Sequence, residues 1–477
     1  MGLRFLLDGA VVEPGEIAPT TTVLEYLRTV LRRTGTMEGC AEGDCGACTV
    51  LVGELQTDCN GIAWRSVNAC ILFLPMLHGK ALLTVESLGK PDALDPLQEL
   101  MAANGSSQCG FCTPGFVMSL HGRRIGAAGH DLPAVDVLAG NLCRCTGYGP
   151  ILDAADKLGP VARDDSATVA ALRSIEPAET VAGRFGEQRW YVPRTNAALA
   201  DLLAQHPDAR IVAGATDVGL WVTKGLRDLG TVIFIGDIGE LRAIEETPAG
   251  LTIGAGVRYA QAHAAFVRLH PALGELTRRI GGLQVRNSAT IGGNVANGSP
   301  IGDGPPALIA LGATLTLRGA AGTRSMPIED YFLDYGKQDL RAGEFVERIY
   351  VPRPGPDDIV HISKLSRRFD SDISAVCGAF KLAVRDGRIV SASVAFGGMA
   401  ATPRRATACE AALTDAPFTL ASIERAAAAL RTDYAPLSDV RGSADYRLKA
   451  AANLLLRLWH EAQGVSASLL ALEATDG

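Results

Sequence analysis

The chain has 477 residues, enough for about three domains that each bury a hydrophobic core. Apolar residues make up 47% of the sequence and charged residues 20%, which is typical of globular proteins and excludes extensive disorder. The net charge of −7, without a basic stripe, argues against a nucleic-acid partner, and no apolar run approaches the roughly 18–20 residues of a membrane-spanning helix. Because the N-terminus lacks a secretory or lipidation signal, we predict a soluble, cytoplasmic protein.

The first predicted domain, residues 1–88, begins as a small β-rich unit. Asp8-Gly9 suits a tight hairpin turn between two short apolar strands. Thr22 and Glu25 have the spacing of a capping box at the start of a helix. A glycine-rich loop, EGCAEGDCGACTV, and another strand follow. This order is typical of a β-grasp ferredoxin domain.

The rest of the chain predicts an α+β multidomain protein. Helical periodicity begins near residue 92, and Thr113-Pro114 suits the first turn of a second helix. Alternating strand and helix patterns fill the remainder, with a hairpin across Asp386-Gly387. We assign residues 89–160 to a helical domain, 161–188 to a linker, 189–343 to an α+β domain and 344–470 to its C-terminal α+β subdomain.

Nine of the eleven cysteines lie in the first 145 residues, which indicates metal binding rather than a disulfide framework. Cys40, Cys45 and Cys48 form a C-x4-C-x2-C motif, and Cys70 completes the plant-type [2Fe–2S] ligand spacing. Neighbouring glycines leave room for the backbone to wrap around a cluster. Cys59 falls outside the pattern, so we interpret it as a loop thiol.

A second set of four cysteines follows in the helical domain. Cys109 and Cys112 lie in QCGFCTPG, and Cys143 and Cys145 lie in NLCRCTGY. A C-x2-C pair is also common in zinc sites, although C-x-C is tighter than the usual zinc-ribbon spacing. Disulfides are a further alternative that the absence of a secretion signal disfavours.

Two glycine-bearing segments lie in the middle domain: IVAGATDVG at 211–219 and SATIGGNVANGSPIGD at 288–303. Glycine turns with exposed N–H groups can hold a pyrophosphate, because the missing Cβ permits close approach of the backbone. Neither segment carries the Rossmann or P-loop fingerprint. Ordinary turns are therefore the alternative interpretation.

The order of these cysteine motifs resembles the iron–sulfur portion of the xanthine dehydrogenase and molybdenum hydroxylase family. The middle segments are similar to that family's two flavin loops. The resemblance covers about residues 1–460 and points to the small, iron–sulfur and FAD subunits of two-subunit bacterial xanthine dehydrogenases. It implies a plant-type ferredoxin domain, a helical-bundle domain with the second [2Fe–2S] cluster, and an α+β FAD-binding domain with a C-terminal subdomain.

Carried over residue by residue, the resemblance implies a set of FAD contacts. Ile280 stands where other members have an aromatic ring, Ala215 replaces an amide residue, and Asp303 and Lys364 are alternatively surface charges. Gln108 matches a position that approaches the molybdopterin. The implied FAD residues are Ile211, Val212, Ala213, Gly214, Ala215, Thr216, Asp217, Val218, Ile280, Thr290, Gly292, Gly293, Asn294, Asp303, Val346 and Lys364.

The resemblance also implies a function. A molybdopterin-binding large subunit would oxidise hypoxanthine and xanthine to urate, so no catalytic residue is expected on this chain. Electrons would pass through the second cysteine set to the first, then to FAD and NAD+, in a heterotetramer of two small and two large chains. Two alternatives stay open: another molybdenum hydroxylase, acting on an aldehyde or aromatic substrate, and a scaffold whose cysteines hold zinc.

The ligand assignment predicts the effect of two cysteine substitutions. We expect Cys45→Ser to remove one of two [2Fe–2S] signals in electron paramagnetic resonance (EPR) spectra of the reduced protein, because each cluster needs four thiolates. Cys59→Ser is the matched control and should leave both signals intact. Loss of a signal in Cys59→Ser would show that the ligand list is wrong.

Overall fold

The computed structural model describes residues 2–56, 60–127, 132–175 and 180–465, so Cys59 lies outside the described residues. Within these ranges, no helix has both the length and the apolar character that a membrane crossing requires. The chain forms two compact units. The first contains Met1–Glu240, Arg258–Ala260 and Gly281–Thr290, and the second contains Leu241–Val257, Gln261–Ile280 and Ile291–Gly477.

The first unit begins with a five-stranded mixed sheet, as predicted for a β-grasp domain. Asp8 and Gly9 take positive φ angles of 49° and 87° in the first hairpin, and the Thr22 side chain accepts a hydrogen bond from the N–H of Glu25. The strands β1 (Phe5–Leu7), β2 (Ala10–Val12), β3 (Thr49–Leu55), β4 (Ile62–Asn68) and β5 (Ala81–Leu83) lie in the order β2-β1-β5-β3-β4. Helix α1 (Val23–Glu25) continues as a π-helical turn, Tyr26–Val30.

Four helices form the domain that carries the second cysteine set. They are α2 (Pro96–Ala103), α3 (Thr113–Arg124), α4 (Ala134–Leu138) and α5 (Gly149–Lys157). Asp95 and Gln98 form a capping box at the start of α2. The core contains the fully buried Leu97, Phe116 and Ile151, and burial of these side chains holds the short helices together.

The segment 161–188, predicted to be a linker, contains regular structure. Helix α6 (Ser166–Ile175) and strand β6 (Val181–Phe185) lie within it. Val169, Leu172 and Ile175 recur at intervals of three residues and are buried in one cluster with Trp64 of β4. A narrow stripe of three apolar residues among Ala and Ser gives a weak periodic signal, which explains why the sequence pattern did not indicate this helix.

A four-stranded sheet completes the first unit. It contains β6, β7 (Gln188–Val192), β8 (Arg210–Val212) and β9 (Thr231–Phe234), in the order β6-β7-β9-β8, together with α7 (Asn196–Gln205) and α8 (Val218–Thr223). Both β7 and β8 run parallel to β9. The segment 213–217 therefore leaves the carboxyl end of a parallel strand, where α/β sheets commonly bind ligands.

The second unit begins with a five-stranded antiparallel sheet. The sheet order is β10-β11-β16-β12-β13, and β16 pairs with both β11 and β12. The predicted boundary at residue 344 would remove this central strand from its sheet. The elements are β10 (Ile244–Thr247), β11 (Gly250–Gly254), α9 (Tyr259–Leu269), α10 (Pro271–Arg278), α11 (Leu283–Arg286, part of the first unit), α12 (Ile291–Asn297), α13 (Gly304–Leu311), β12 (Thr314–Gly319), β13 (Gly322–Pro327), β14 (Phe332–Asp334), β15 (Lys337–Gln338) and β16 (Phe345–Pro352).

A second antiparallel sheet and three helices form the C-terminal subdomain. Asp386 and Gly387 take positive φ angles of 49° and 72°, as the predicted hairpin requires. The elements are β17 (Asp358–Leu365), β18 (Val376–Arg385), β19 (Arg388–Gly397), β20 (Arg404–Arg405), α14 (Thr407–Leu413), α15 (Leu420–Asp433) and α16 (Ala444–Ala462). The helices pack on one face of the sheet around a shared apolar core.

The burial of α6 predicts that this helix contributes to stability. Leu172 is fully buried, so Leu172→Ala should lower the free energy of unfolding by about 2–5 kcal/mol, measured by urea denaturation followed by circular dichroism. Ser174→Ala, on the exposed side of the same helix, is the control and should change stability little. Equal stability of the two variants would contradict the packing of α6.

Candidate redox sites

The four thiols of the first cysteine set converge between α1 and β3 and beside the end of β4. Cys40 forms side-chain hydrogen bonds with Cys45 and Cys70, and Cys48 forms one with Cys70. These contacts hold the pKa of Cys40 well below its usual range and raise the pKa of Cys70. The four thiols are linked by these pairwise contacts and supply the donor set that a [2Fe–2S] cluster takes as thiolates.

The backbone around this set supports the same conclusion. The N–H groups of Glu42 and Cys45 donate to Cys40 Sγ at 3.4 and 3.3 Å. Gly43 has a φ of 78°, and a Cβ there would lie 2.4 Å from Ile71 Cδ1. The loop therefore wraps closely only because it carries glycine at this position.

The second cysteine set forms two thiol pairs. The N–H of Phe111 and then the thiol of Cys145 lower the pKa of Cys109, and the hydrogen bond with Cys109 raises the pKa of Cys145. Burial, followed by the hydrogen bond with Cys143, raises the pKa of Cys112 to about 12. Cys109 and Cys145 are exposed, as is the neighbouring Gln108. The outer edge of this site therefore lies at the protein surface.

The donor sets fit two-iron clusters. Within the described ranges, no group of three or more His, Cys, Asp or Glu side chains is arranged to hold a metal ion. In a [2Fe–2S] cluster each iron takes two protein thiolates, so pairs of thiols are the expected arrangement.

A single backbone hydrogen bond joins the loops that carry the two cysteine sets. The N–H of Leu142 donates to the carbonyl oxygen of Cys45 at 2.9 Å, and Leu142 directly precedes Cys143. Helix α3 also approaches the first loop, since a Cβ at Gly115 would lie 2.2 Å from the carbonyl oxygen of Gly46. The geometry therefore favours direct electron transfer between the two sites.

The predicted phosphate-binding loop, residues 213–217, follows β8 and is called the flavin-type loop below. Ile211 and Val212 belong to the strand, where Ile211 is half-buried and Val212 is fully buried in the core. The N–H groups of Ala213, Gly214, Ala215 and Thr216 donate no hydrogen bond to any described residue. Ala215 has a positive φ of 59°. Consecutive free N–H groups in such a turn suit an anionic ligand, which fits the pyrophosphate of FAD.

The last two residues of the predicted set lie at the end of this loop. Asp217 is exposed, and Val218 begins α8.

This loop lies against the segment that leads to Thr290. A Cβ at Gly214 would lie 1.9 Å from the carbonyl oxygen of Ser288, a clash with backbone that cannot move aside cheaply. The N–H of Tyr259 holds the next residue, Ala289, through its carbonyl oxygen. The structure therefore brings Gly214 against the start of the second predicted flavin segment, two residues before Thr290.

Helix α8 connects the loop to the first cysteine set. Thr223 Oγ1 donates to the carbonyl oxygen of Ala41 at 2.7 Å, inside the cysteine loop. A Cβ at Gly219 would lie 2.8 Å from Cβ of Ile71, which follows Cys70. The first set is therefore the one adjacent to the flavin-type loop.

The second unit carries other predicted flavin residues. The N–H of Gly292 donates to the carbonyl oxygen of Ala255 at 3.0 Å, and the N–H of Ala255 donates to the carbonyl oxygen of Glu347 at 2.9 Å. This places Gly292, on α12, beside Val346 of β16. Gly293 and Asn294 are half-buried on the same helix.

Asp303 and Lys364 form a buried ion pair rather than separate surface charges. Lys364 Nζ lies 2.6 Å from Asp303 Oδ2, with both side chains less than a tenth exposed. Ser374 donates a hydrogen bond to the other oxygen of Asp303. A pair that is satisfied in this way is fixed in one geometry, which suits a positioning role at a binding site.

Arg279, next to Ile280, is a feature that sequence reasoning missed. Its guanidinium donates to the carbonyl oxygen of Lys364 at 2.9 Å and lies 4.4 Å from the ring centroid of Phe369. This cation–π contact attaches Arg279 to the loop that follows β17, which contains Phe369. Arg278 and Arg279 are adjacent in the sequence and look like a solvated charge pair, so no sequence pattern indicated the contact of Arg279 with Phe369.

The contact of Gly214 with Ser288 yields a prediction for FAD binding. Gly214→Ala should lower the ratio of bound flavin to protein, because its methyl group would displace the loop, and Gly214→Asp should do the same while adding charge beside phosphate. Iron content should stay unchanged. The control is Gly159→Ala, because a Cβ at Gly159 meets no atom within 4 Å. Normal flavin content in Gly214→Ala would contradict the assignment.

Four family models match successive parts of the chain. They describe a 2Fe-2S iron-sulfur cluster binding domain (12–74), a [2Fe-2S] binding domain (84–156), the FAD binding domain in molybdopterin dehydrogenase (183–354) and the CO dehydrogenase flavoprotein C-terminal domain (361–462). The first two cover the cysteine sets, and the third covers most of the predicted flavin residues.

Curated relatives include the xanthine dehydrogenase of Emericella nidulans, 31% identical over 96% of this chain and 38% of the relative. The xanthine dehydrogenase of Drosophila subobscura is 32% identical over 90% of this chain and 36% of its own length. The rat xanthine dehydrogenase/oxidase is 31% identical over 83% of this chain. The chain therefore spans little more than a third of these relatives.

Two solved structures contain chains that are matched over almost their whole length. A carbon monoxide dehydrogenase chain from Hydrogenophaga pseudoflava has a TM-score of 0.54 and 30% identity, over 58% of this chain and 96% of that one. A quinoline 2-oxidoreductase chain from Pseudomonas putida 86 has a TM-score of 0.53 and 27% identity, over 57% of this chain and 96% of that one. With its two [2Fe–2S] domains and its FAD domain, the chain belongs to the molybdenum hydroxylase family of oxidoreductases.

Proposed function

We propose that this chain is the electron-transfer subunit of a two-subunit, bacterial-type xanthine dehydrogenase. A partner subunit that binds the molybdopterin cofactor would oxidise hypoxanthine and xanthine to urate, and NAD+ would be the final acceptor. The observation that carries the proposal is the contact of both cysteine sets and the flavin-type loop within one unit of one chain.

The pattern of coverage favours xanthine dehydrogenase among the members of the family. The xanthine dehydrogenase of Emericella nidulans matches 96% of this chain in a single alignment. The carbon monoxide dehydrogenase and quinoline oxidoreductase chains are almost wholly matched, yet they cover only 56–58% of this chain. Fusion of both iron–sulfur domains with the flavin domain is thus shared with the xanthine dehydrogenases.

The exposure of the thiols supports the proposed direction of the relay. Cys109 and Cys145 are exposed and would face the partner, whereas Cys48 and Cys70 are buried beside the flavin-type loop. Residues 213–216 would hold the pyrophosphate through their free N–H groups. When bound, FAD converts one-electron transfers into the two-electron exchange that NAD+ requires.

The chain would form a heterotetramer of two small and two large subunits in the cytoplasm. Another molybdenum hydroxylase, acting on an aldehyde or an aromatic substrate, would use the same relay, because the substrate pocket would lie on the partner. The substrate is therefore the part of the proposal that needs the most direct test.

The test compares the isolated chain with its complex. The isolated chain, loaded with FAD, should reduce an artificial dye with NADH and should not oxidise xanthine. The complex should couple xanthine oxidation to reduction of NAD+, measured by absorbance, in preference to aldehydes, aromatic heterocycles and carbon monoxide. Preference for another of these substrates would contradict the xanthine assignment while leaving the relay intact.

A cysteine variant tests the relay itself. In the complex, Cys109→Ser should abolish electron flow from xanthine to NAD+, but it should keep the NADH–dye reaction, because that reaction bypasses the second set. The control is Cys409→Ala, at a buried thiol of the C-terminal core. A colourless protein with stoichiometric zinc would overturn the redox function altogether.

A further inference from the structure

Gln284 lies where both cysteine loops meet the segment that leads to Thr290. It is 1% exposed and belongs to α11, six residues before Thr290. Its Nε2 donates to Thr49 Oγ1 at 3.1 Å, one residue beyond Cys48. It also donates to Asn141 Oδ1 at 2.9 Å, two residues before Cys143. One amide group therefore touches elements adjacent to both sites.

A third acceptor, Ser119 Oγ on α3, lies 3.1 Å from the same nitrogen. Each hydroxyl proton in this group is already used: Thr49 donates to the carbonyl oxygen of Gly46, and Ser119 donates to Asn141 Oδ1. Three oxygens are thus left as acceptors around Nε2. The network itself fixes the orientation of the amide, because the opposite flip would bring oxygen against oxygen.

The oxygen of Gln284 occupies a space that only glycine leaves open. Within the described residues, Oε1 is buried without a hydrogen-bond partner. A Cβ at Gly140 would lie 2.2 Å from it, and a Cβ at Gly282 would lie 2.4 Å from Cα of Gly140. The amide group therefore fits closely between the two glycines, and a larger residue at either position would displace it.

We propose that Gln284 is a positioning residue that fixes the two cysteine loops relative to each other, and so sets the coupling between the two clusters. The inference rests on the proposed function, since it assumes that both sets hold [2Fe–2S] clusters. It follows from the three acceptors around Nε2, which share its two N–H donors through one bifurcated hydrogen bond, and from the direct hydrogen bond between Leu142 and Cys45 that the network supports.

Asn287 provides a matched control on the same segment. It is also buried, and its Nδ2 donates to the carbonyl oxygen and the hydroxyl of Ser66 at 3.0 and 3.3 Å. Ser66 lies within β4, outside both cysteine loops. Asn287→Leu therefore removes comparable buried hydrogen bonds without touching the junction between the clusters.

The experiment uses the full chain with its clusters, reduced chemically and examined by low-temperature EPR spectroscopy. Gln284→Met keeps the length of the side chain and removes the donor. We expect it to weaken the spin–spin splitting between the two reduced clusters, while iron content stays at the wild-type level. Asn287→Leu should keep the wild-type splitting, even if its melting temperature falls as far.

Ser119→Ala is a second, milder variant for the case in which Gln284→Met fails to fold. It removes one acceptor of Gln284 Nε2 and one donor to Asn141 Oδ1, but it keeps the hydrogen bonds of Nε2 with Thr49 and Asn141, so it should weaken the splitting to a smaller extent. Wild-type splitting in both variants, or an equal change in Asn287→Leu, would overturn the positioning role alone. A wild-type protein without two cluster signals would instead overturn the proposed function, and the positioning role with it.

Discussion

The close backbone contact between the two cysteine loops is the constraint on which the rest of the structure depends. The carbonyl oxygen of Gly46 accepts hydrogen bonds from Thr49 Oγ1 at 2.6 Å and from Asn141 Nδ2 at 3.2 Å, and α3 approaches the same oxygen at Gly115. A side chain at either glycine would separate the loops. Because this approach is a backbone contact, it cannot be relaxed by a change of rotamer, and the neighbouring elements must be built around it.

Other close contacts that require glycine lie beside the first cysteine set and at the flavin-type loop. Gly219 meets Ile71 beside the first cysteine set, and Gly214 meets Ser288 beside the second flavin segment. Charges hold the remaining junction of the first unit: Glu54 lies between Arg65 and Arg258 at 2.7 and 3.0 Å. Such a buried ion triad contributes little net stability, but loss of one partner would leave an unpaired buried charge. The triad therefore fixes where residues 258–260 attach.

The sequence predicted the features that are local. Ligand spacing indicated the first cysteine set, the family resemblance implied the second, and Asp-Gly pairs indicated two hairpins that the structure contains. Contacts between distant residues left no such signal: Gln284 meets Thr49 across 235 positions and Asn141 across 143. Asp303 and Lys364 could not be told from surface charges, because their pairing depends on two elements 61 positions apart. Helix α6 was missed because its apolar stripe is only three residues long.

The burial of the thiols supports the order of the proposed relay, which the family resemblance implies, whereas the cysteine motifs alone do not distinguish an inner set from an outer one. The first set is enclosed by the loop 40–48, the end of β4 and α8, and two of its thiols are buried. The second set leaves two thiols at the surface beside Phe111, whose side chain is 48% exposed. In the proposed relay, a donor on a partner subunit would approach the second set, whose two exposed thiols lie at the surface. The first set contacts α8, the helix after the flavin-type loop, so electrons would leave the clusters through the first set.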